Sequence, residues 1–246
     1  MLQIFKTFDE LAQGVAGYIF SAIGQTLSAQ DRFSLVLSGG STPRAAYTLL
    51  SEPAIARQVD WARVHIFWGD ERCVPPDHNE SNFRMARETL LSRLPFPERN
   101  IHRIQGELPP QQAAEAYLQQ LEGFFGGQSG LPHFDLVLLG MGEDGHVASL
   151  FPGDAALEVV DRWVVAVEHD RPPAPLVARV TVTLPVINAA RRVALIVSGS
   201  GKAERVRQAL SGADAAETLP AQRVKPKQGE LVWLLDGDAG KWINPI

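Results

Sequence analysis

Four short segments carry the residues best suited to chemistry, and each follows a short apolar run. In Gly140-Met141-Gly142-Glu143-Asp144-Gly145-His146 an imidazole stands two residues after a carboxylate. A neighbouring carboxylate favours imidazolium, while a helix N-terminus disfavours it. Placed near a helix start, His146 would then be neutral at pH 7 and able to accept a proton, with Asp144 orienting the ring. A purely structural histidine is the alternative reading of the same spacing. In Ser38-Gly39-Gly40-Ser41-Thr42-Pro43-Arg44 the glycines let backbone approach a ligand, Ser41 and Thr42 offer hydroxyls, and Pro43 suits the first turn of a helix. Free N–H groups at such a helix start favour a phosphate, although a plain capped turn has the same composition. Gly199-Ser200-Gly201-Lys202 sets a lysine in a first turn, where it opposes the helix dipole and asks for a nearby anion. Trp68-Gly69-Asp70-Glu71-Arg72 reads either as a solvated charged loop or as a substrate-facing Arg72 with a carboxylate partner.

Other chemistries lack their signs. Gly140, Gly142 and Gly145 fit the G-x-G-x-x-G pattern, but Phe151-Pro152-Gly153 cuts off the helix that a dinucleotide site requires. The glycine turn at Ser38 lacks the Gly-Lys-Ser/Thr of a Walker A loop, and no G-x-S-x-G elbow announces a serine hydrolase. Cys73 is the single cysteine, and His65, His78, His102, His133 and His169 have no second ligand at metal spacing. No metal and no cofactor are expected. Lys plus Arg number 23 against 28 Asp plus Glu, so no basic excess points to nucleic acid, and an anionic ligand needs a local basic cluster. No stretch reaches 18 uninterrupted apolar residues, and Met1 to Glu10 lacks the pattern of a signal peptide. A soluble, cytoplasmic chain without membrane partners is the expectation.

These segments must be positioned by regular elements. Phe8, Leu11, Ala12, Val15, Ile19, Ile23 and Leu27 lay one apolar stripe along an opening helix. Short apolar runs at Phe33 to Leu37, Val64 to Trp68, Phe134 to Leu139, Trp163 to Val167, Val193 to Val197 and Leu231 to Leu235 read as strands. They alternate with helical spacing at Ala45 to Leu50, Asn82 to Leu94, Gln111 to Phe125 and Lys202 to Leu210. Strands apolar on both faces and alternating with helices indicate an α/β fold: an open, mainly parallel sheet with helices on both faces. Val177 to Thr183 alternates polar and apolar residues, as an edge or site-facing strand would. Gly126 to Gly130 and Arg171 to Pro175 look like surface loops, so residues 1–246 are expected to form one domain.

Taken in order, these segments resemble the 6-phosphogluconolactonase family, within the group that includes glucosamine-6-phosphate deaminase. The matching pieces are Leu37 to Pro43, Phe67 to Arg72 with Asn79-Glu80-Ser81-Asn82, GMGEDGHVASLFP from Gly140 to Pro152, Arg179 to Thr183, and Gly201-Lys202-Ala203. The resemblance implies a Rossmann-like fold of the sugar-phosphate isomerase/deaminase type and cofactor-free hydrolysis of 6-phospho-D-glucono-1,5-lactone. It implies His146 as general base, Asp144 as its orienting partner, and substrate or phosphate binding by Gly39, Gly40, Ser41, Asp70, Arg72, Arg179 and Lys202. Leu150-Phe151-Pro152 stands where deaminases carry Asn-Glu-Pro, which removes their second acid. Arg171 replaces a lysine common among relatives in the proline loop, which leaves that loop without an assigned contact. A non-catalytic sugar-phosphate sensor is the other alternative, but it would have no use for Asp144 and His146.

Overall fold

A computed structural model describes residues 1–126, 130–211 and 218–243, so 127–129 of the glycine loop lie outside the described residues. The strands are β1 (Leu2–Phe5), β2 (Phe33–Leu37), β3 (Val64–Trp68), β4 (Asp70–Arg72), β5 (Leu136–Gly140), β6 (Val164–Val167), β7 (Arg179–Val182), β8 (Arg192–Val197) and β9 (Glu230–Asp236). The helices are α1 (Phe8–Leu27), α2 (Ser41–Leu50), α3 (Pro53–Ala56), α4 (Asn82–Ala86), α5 (Pro110–Phe125), α6 (Leu184–Ala189) and α7 (Ala203–Ser211). Six strands pair in parallel in the order β1-β9-β8-β5-β2-β3, and β4-β7-β6 form a second, antiparallel sheet. Every residue of β2 is buried, as are nearly all of β5 and β8, which requires cover on both faces of the main sheet.

Helix α1 follows its sequence closely. Thr7 Oγ accepts the Glu10 N–H and the Glu10 carboxylate accepts the Lys6 N–H, a reciprocal cap contributing about 1 kcal/mol. Leu11, Val15, Ile19 and Ile23 on its apolar face are at most 1% exposed. No helix among the described residues is long and apolar enough to cross a membrane.

Two expectations need correction. The run at Trp163 to Val167 belongs to the antiparallel sheet, as β6, and not to the parallel one. Strand β7 is the centre of that sheet, not an edge, and its polar face is buried: Thr181 and Arg179 are 0% and 3% exposed. Polar residues tolerate that position because they have partners, Thr181 Oγ donating to Val182 O at 3.0 Å and Arg179 to Pro175 O at 3.2 Å. Strand β1 was not foreseen, since four mostly exposed residues leave little apolar signal.

His65 and His102, far apart in sequence, meet through ring nitrogens 3.2 Å apart, and His102 stacks on Phe67 at 4.4 Å between centroids. Burial first, then the charges of His65 and Arg32, pull His102 down to about 4. An unfolded histidine titrates near 6.5. The folded state therefore binds fewer protons, and the stability held by neutral His102 is complete above that value and lost as pH falls toward about 4. After allowance for partial exposure we expect roughly 1–2 kcal/mol of acid sensitivity from this group. Urea unfolding of wild type and His102→Gln at pH 7.5, 6 and 5 checks this. The variant should lose less stability than wild type over that window, and parallel pH profiles would refute the account.

Candidate active site

From β2 the chain adds β3 on one side and later returns to add β5 on the other, so the carboxyl ends of β2 and β5 border the reversal where open α/β sheets bind ligands. The two ends are tied there, Gly140 N–H donating to Ser38 Oγ at 3.2 Å. From α2 the Tyr47 hydroxyl donates to Ser38 O at 3.0 Å and accepts the Ser38 N–H at 3.1 Å, which holds the glycine turn against the helix. Gly40 has φ +105°, a conformation costly for any side chain, and α2 starts without a side-chain cap. Its first-turn N–H groups and the exposed Ser41 are thus available to an anion. A Cβ on Gly39 would collide with the Asn82 side chain, so that glycine serves packing as well as access.

Beyond β3, the Asp-Glu-Arg segment divides its labour. Asp70 is buried, accepting Ser149 Oγ–H at 2.6 Å, with Asn82 Nδ2 donating to its backbone carbonyl at 3.0 Å. Glu71 is structural: it accepts the N–H groups of Arg72, Asn82 and Phe83 at 2.7–2.8 Å and the Ser81 hydroxyl at 3.1 Å. Burial raises its pKa above the ordinary carboxylate value in spite of those bonds. Arg72 and Arg179 are direct partners in the β4–β7 register. Like charges directly opposed are unfavourable. Arg72 donates to Glu80 O and Arg179 to Pro175 O, yet the Nε–H of each is buried without a partner. Burial lowers the Arg179 pKa, with Asp70 the main opposing charge. Two adjacent guanidinium groups with unmet donors suit an anionic or strongly polar ligand.

His146 Nδ1 lies 2.6 Å from Asp144 Oδ1, which also accepts the His146 N–H at 3.1 Å. Burial raises the Asp144 pKa, but the hydrogen bond and charge of His146 more than offset it, and the net shift is downward. An ionised carboxylate only accepts, so Nδ1 carries a proton, and in the neutral form of the ring the lone pair then stands on Nε2. The expected helix after His146 is absent. Gly145 and Ala148 have φ of +86° and +50°, and the segment runs as turns with a Val147–Leu150 bridge. The dipole argument for a neutral ring therefore falls, and orientation comes from Asp144 and Phe151, whose ring centroid is 4.6 Å from that of His146.

Lys202 closes a single 3-10 turn, Ser200–Lys202, ahead of α7. Burial lowers its pKa, and Glu143 and Asp236 partly restore it. Asp236 builds this turn, accepting Gly199 N–H at 3.1 Å, Ser198 Oγ–H at 2.6 Å and Ala239 N–H at 2.7 Å. The structure thus brings Arg72, Arg179 and Asp70 together and sets Lys202 near Glu143, at the start of the His146 loop. Asn82, Ser149, Phe151 and Asp236 were missed as positioning residues. Asn82 and Ser149 sit inside quoted motifs without a role, and Asp236 had only its place after an apolar strand as a signal. A cleft of about 820 Å³ reaches the site at Asp144 and Phe151 and is also walled by Val167 to Pro172. The Arg171 side chain is 89% exposed and pairs with Asp170. Among the described residues no cluster of three metal-ligating side chains occurs.

Comparison with known proteins shows the family. Residues 6–233 match the family described as glucosamine-6-phosphate isomerases/6-phosphogluconolactonase. A 6-phosphogluconolactonase of Nostoc sp. is 41% identical, covering 92% of this chain and 91% of its own. One from Synechocystis sp. is 39% identical over the same shares, 92% and 91%. The solved 6-phosphogluconolactonase from Trypanosoma brucei superposes with a TM-score of 0.89 at 30% identity, covering 99% of this chain and 98% of that one. With a fold, a glycine-lined switch point and a match that spans nearly its whole length, the chain belongs to the glucosamine-6-phosphate isomerase/6-phosphogluconolactonase family.

Proposed function

We propose that the chain hydrolyses 6-phospho-D-glucono-1,5-lactone to 6-phospho-D-gluconate, the lactone-opening step of the oxidative pentose phosphate pathway. The observation that carries this reading is the 2.6 Å Nδ1–Oδ1 contact that fixes the His146 tautomer. His146 Nε2 takes a proton from water as the water oxygen bonds to the lactone carbonyl carbon, and the carbonyl electrons move onto oxygen. Collapse of that oxyanion re-forms the carbonyl and breaks the bond to the ring oxygen, which takes the proton back from Nε2. The product acid then ionises to solvent. No metal or nucleotide enters this sequence.

The phosphate lies away from the reacting carbon, so holding it positions the ring without taking part in the chemistry. We assign it to Gly39, Gly40, Ser41, Arg179 and Lys202, with Arg72 adding charge beside Arg179 and Asp70 fixing the arginines. A deaminase reading is disfavoured because Leu150 and Phe151, where a second acid would stand, are buried and apolar. A phosphorylated lactone does not cross membranes unaided, so the enzyme acts where the lactone forms, on this reading the cytoplasm.

Turnover should exceed the spontaneous rate and survive EDTA, and loss of activity restored by zinc would overturn the metal-free step. His146→Ala should lower kcat roughly 10²–10⁴-fold with little change in KM. Near-normal turnover in the folded variant would return His146 to a structural role. Lys202→Ala should reduce kcat/KM for the phosphorylated lactone about 10- to 100-fold, the value of one charge-assisted hydrogen bond, and affect unphosphorylated gluconolactone far less. Equal fractional loss on both lactones would show that Lys202 does not hold the phosphate.

A further inference from the structure

Around Phe151 the structure assembles a stack that neither the proposed mechanism nor the phosphate contacts use. One neighbour of the ring is His146, with centroids 4.6 Å apart and planes at 45°. Another is His169, nearly parallel at 16° with centroids 4.2 Å apart. The Arg179 guanidinium also lies 5.5 Å from the Phe151 centroid. Phe151 and His169 are 8% and 7% exposed, so neither ring is a loose surface group. His169 Nε2 lies 2.6 Å from Pro173 O. A carbonyl only accepts, so that nitrogen carries a proton and donates. The ring is thereby fixed at one edge by the loop and across its face by Phe151.

We propose that His169 is a positioning residue for the reaction: it locks the Phe151 ring, which in turn holds the His146 imidazole in the orientation that meets Asp144. The proposal rests on the lactonase reading above. Asp144 fixes only one edge of the His146 ring, and a single hydrogen bond leaves the ring free to swing about it. A packed aromatic neighbour removes that freedom, and aromatic pairs contribute beyond their buried area when the geometry is held. A base displaced by a fraction of an ångström loses rate without losing substrate affinity, because binding is made elsewhere. The same arrangement gives the proline loop a purpose that its exposed Arg171 does not: its Pro173 and Pro175 carbonyls anchor His169 and Arg179, two of the three groups packed with Phe151.

Two substitutions separate the stack from the loop bond. His169→Ala removes both, whereas His169→Phe restores an aromatic face and leaves Pro173 O, which is only partly buried, to water. We expect His169→Ala to lower kcat about 3- to 10-fold with KM within twofold of wild type, and His169→Phe to recover most of the loss. The proton on His146 Nδ1, observed by NMR as a downfield resonance that vanishes in His146→Ala, should broaden or shift in His169→Ala and return in His169→Phe. This resonance reports ring order without lactone, so a wild-type protein lacking lactonase activity would sink the functional reading while leaving the positioning claim open to this measurement. If His169→Ala keeps wild-type kcat and resonance, or if His169→Phe is as impaired as His169→Ala, the proposal is overturned. Should His169→Ala fail to fold, Phe151→Leu, which keeps an apolar side chain and removes the ring, decides by the same two readouts.

Discussion

Parallel pairing of β2 with β5, strands separated by a hundred residues of chain, is the constraint on which this molecule depends. A parallel pair has no hairpin to set its register, so the register must be fixed by side chains. At the amino end Asp135 does this, accepting the Ser34 N–H and hydroxyl at 2.9 and 2.8 Å, while Ser34 Oγ accepts the Asp135 N–H. At the carboxyl end Ser38 receives Gly140 N–H. With the register held at both ends, the glycine turn after β2 and the histidine loop after β5 emerge side by side. A slip of one residue would turn every β5 side chain to the opposite face and carry the Asp144–His146 pair away from the turn.

Hydroxyl groups secure the strand ends where ladder bonds run out. Tyr47 holds Ser38, and Tyr117 from α5 does the same for Trp68, donating to its carbonyl at 2.9 Å and accepting its N–H at 3.0 Å. Burial raises both phenols well above their ordinary pKa, so they stay neutral and serve as donor and acceptor at once. Behind them the charges are less balanced. Arg72 opposes Arg179, and their compensation comes from the buried Asp70 and Glu71 and from Glu80 at the rim. A site that keeps two guanidinium groups adjacent with buried donors unmet would be stabilised further by an anion, and the proposed phosphate contacts would reconcile that local charge with the net negative charge of the chain.

What the sequence disclosed followed from distance along the chain. The Asp144–His146 contact was legible because a single residue separates the two, and α1, β2, β3, β8 and β9 because their apolar patterns are local. The antiparallel sheet was not legible: β4 has three residues, all charged, and its burial depends on β7 from much later in the chain. For the same reason the Arg72–Arg179 pair, the His65–His102 contact and the service of Ser149 and Asn82 to Asp70 were hidden. The expected helix after His146 failed on backbone conformation: Ala148 takes a positive φ, and the tight turn at Gly145 packs against Leu219, a partner far along the chain that local propensity does not disclose.

On the proposed mechanism the nucleophile is water, and the place of Ser149 shows why this hydroxyl does not take that part. Its hydroxyl is 2.6 Å from the Asp70 carboxylate, the spacing of an activated nucleophile and its base. Yet Ser149 is 0% exposed, its N–H is bound to Thr181 Oγ at 3.3 Å, and its proton is already given to Asp70. A nucleophile must reach the substrate carbon, and this one is buried against Asp70 of β4 and Thr181 of β7. His146, by contrast, is a fifth exposed at its side chain and has its acidic partner on the edge that leaves Nε2 unencumbered. In the proposed reaction an oriented base and a held phosphate act on a lactone ester, with no covalent intermediate to form or resolve. The Ser149–Asp70 pair instead holds the carboxylate that steadies Arg179, and on the proposed mechanism proton transfer falls to the His146 imidazole.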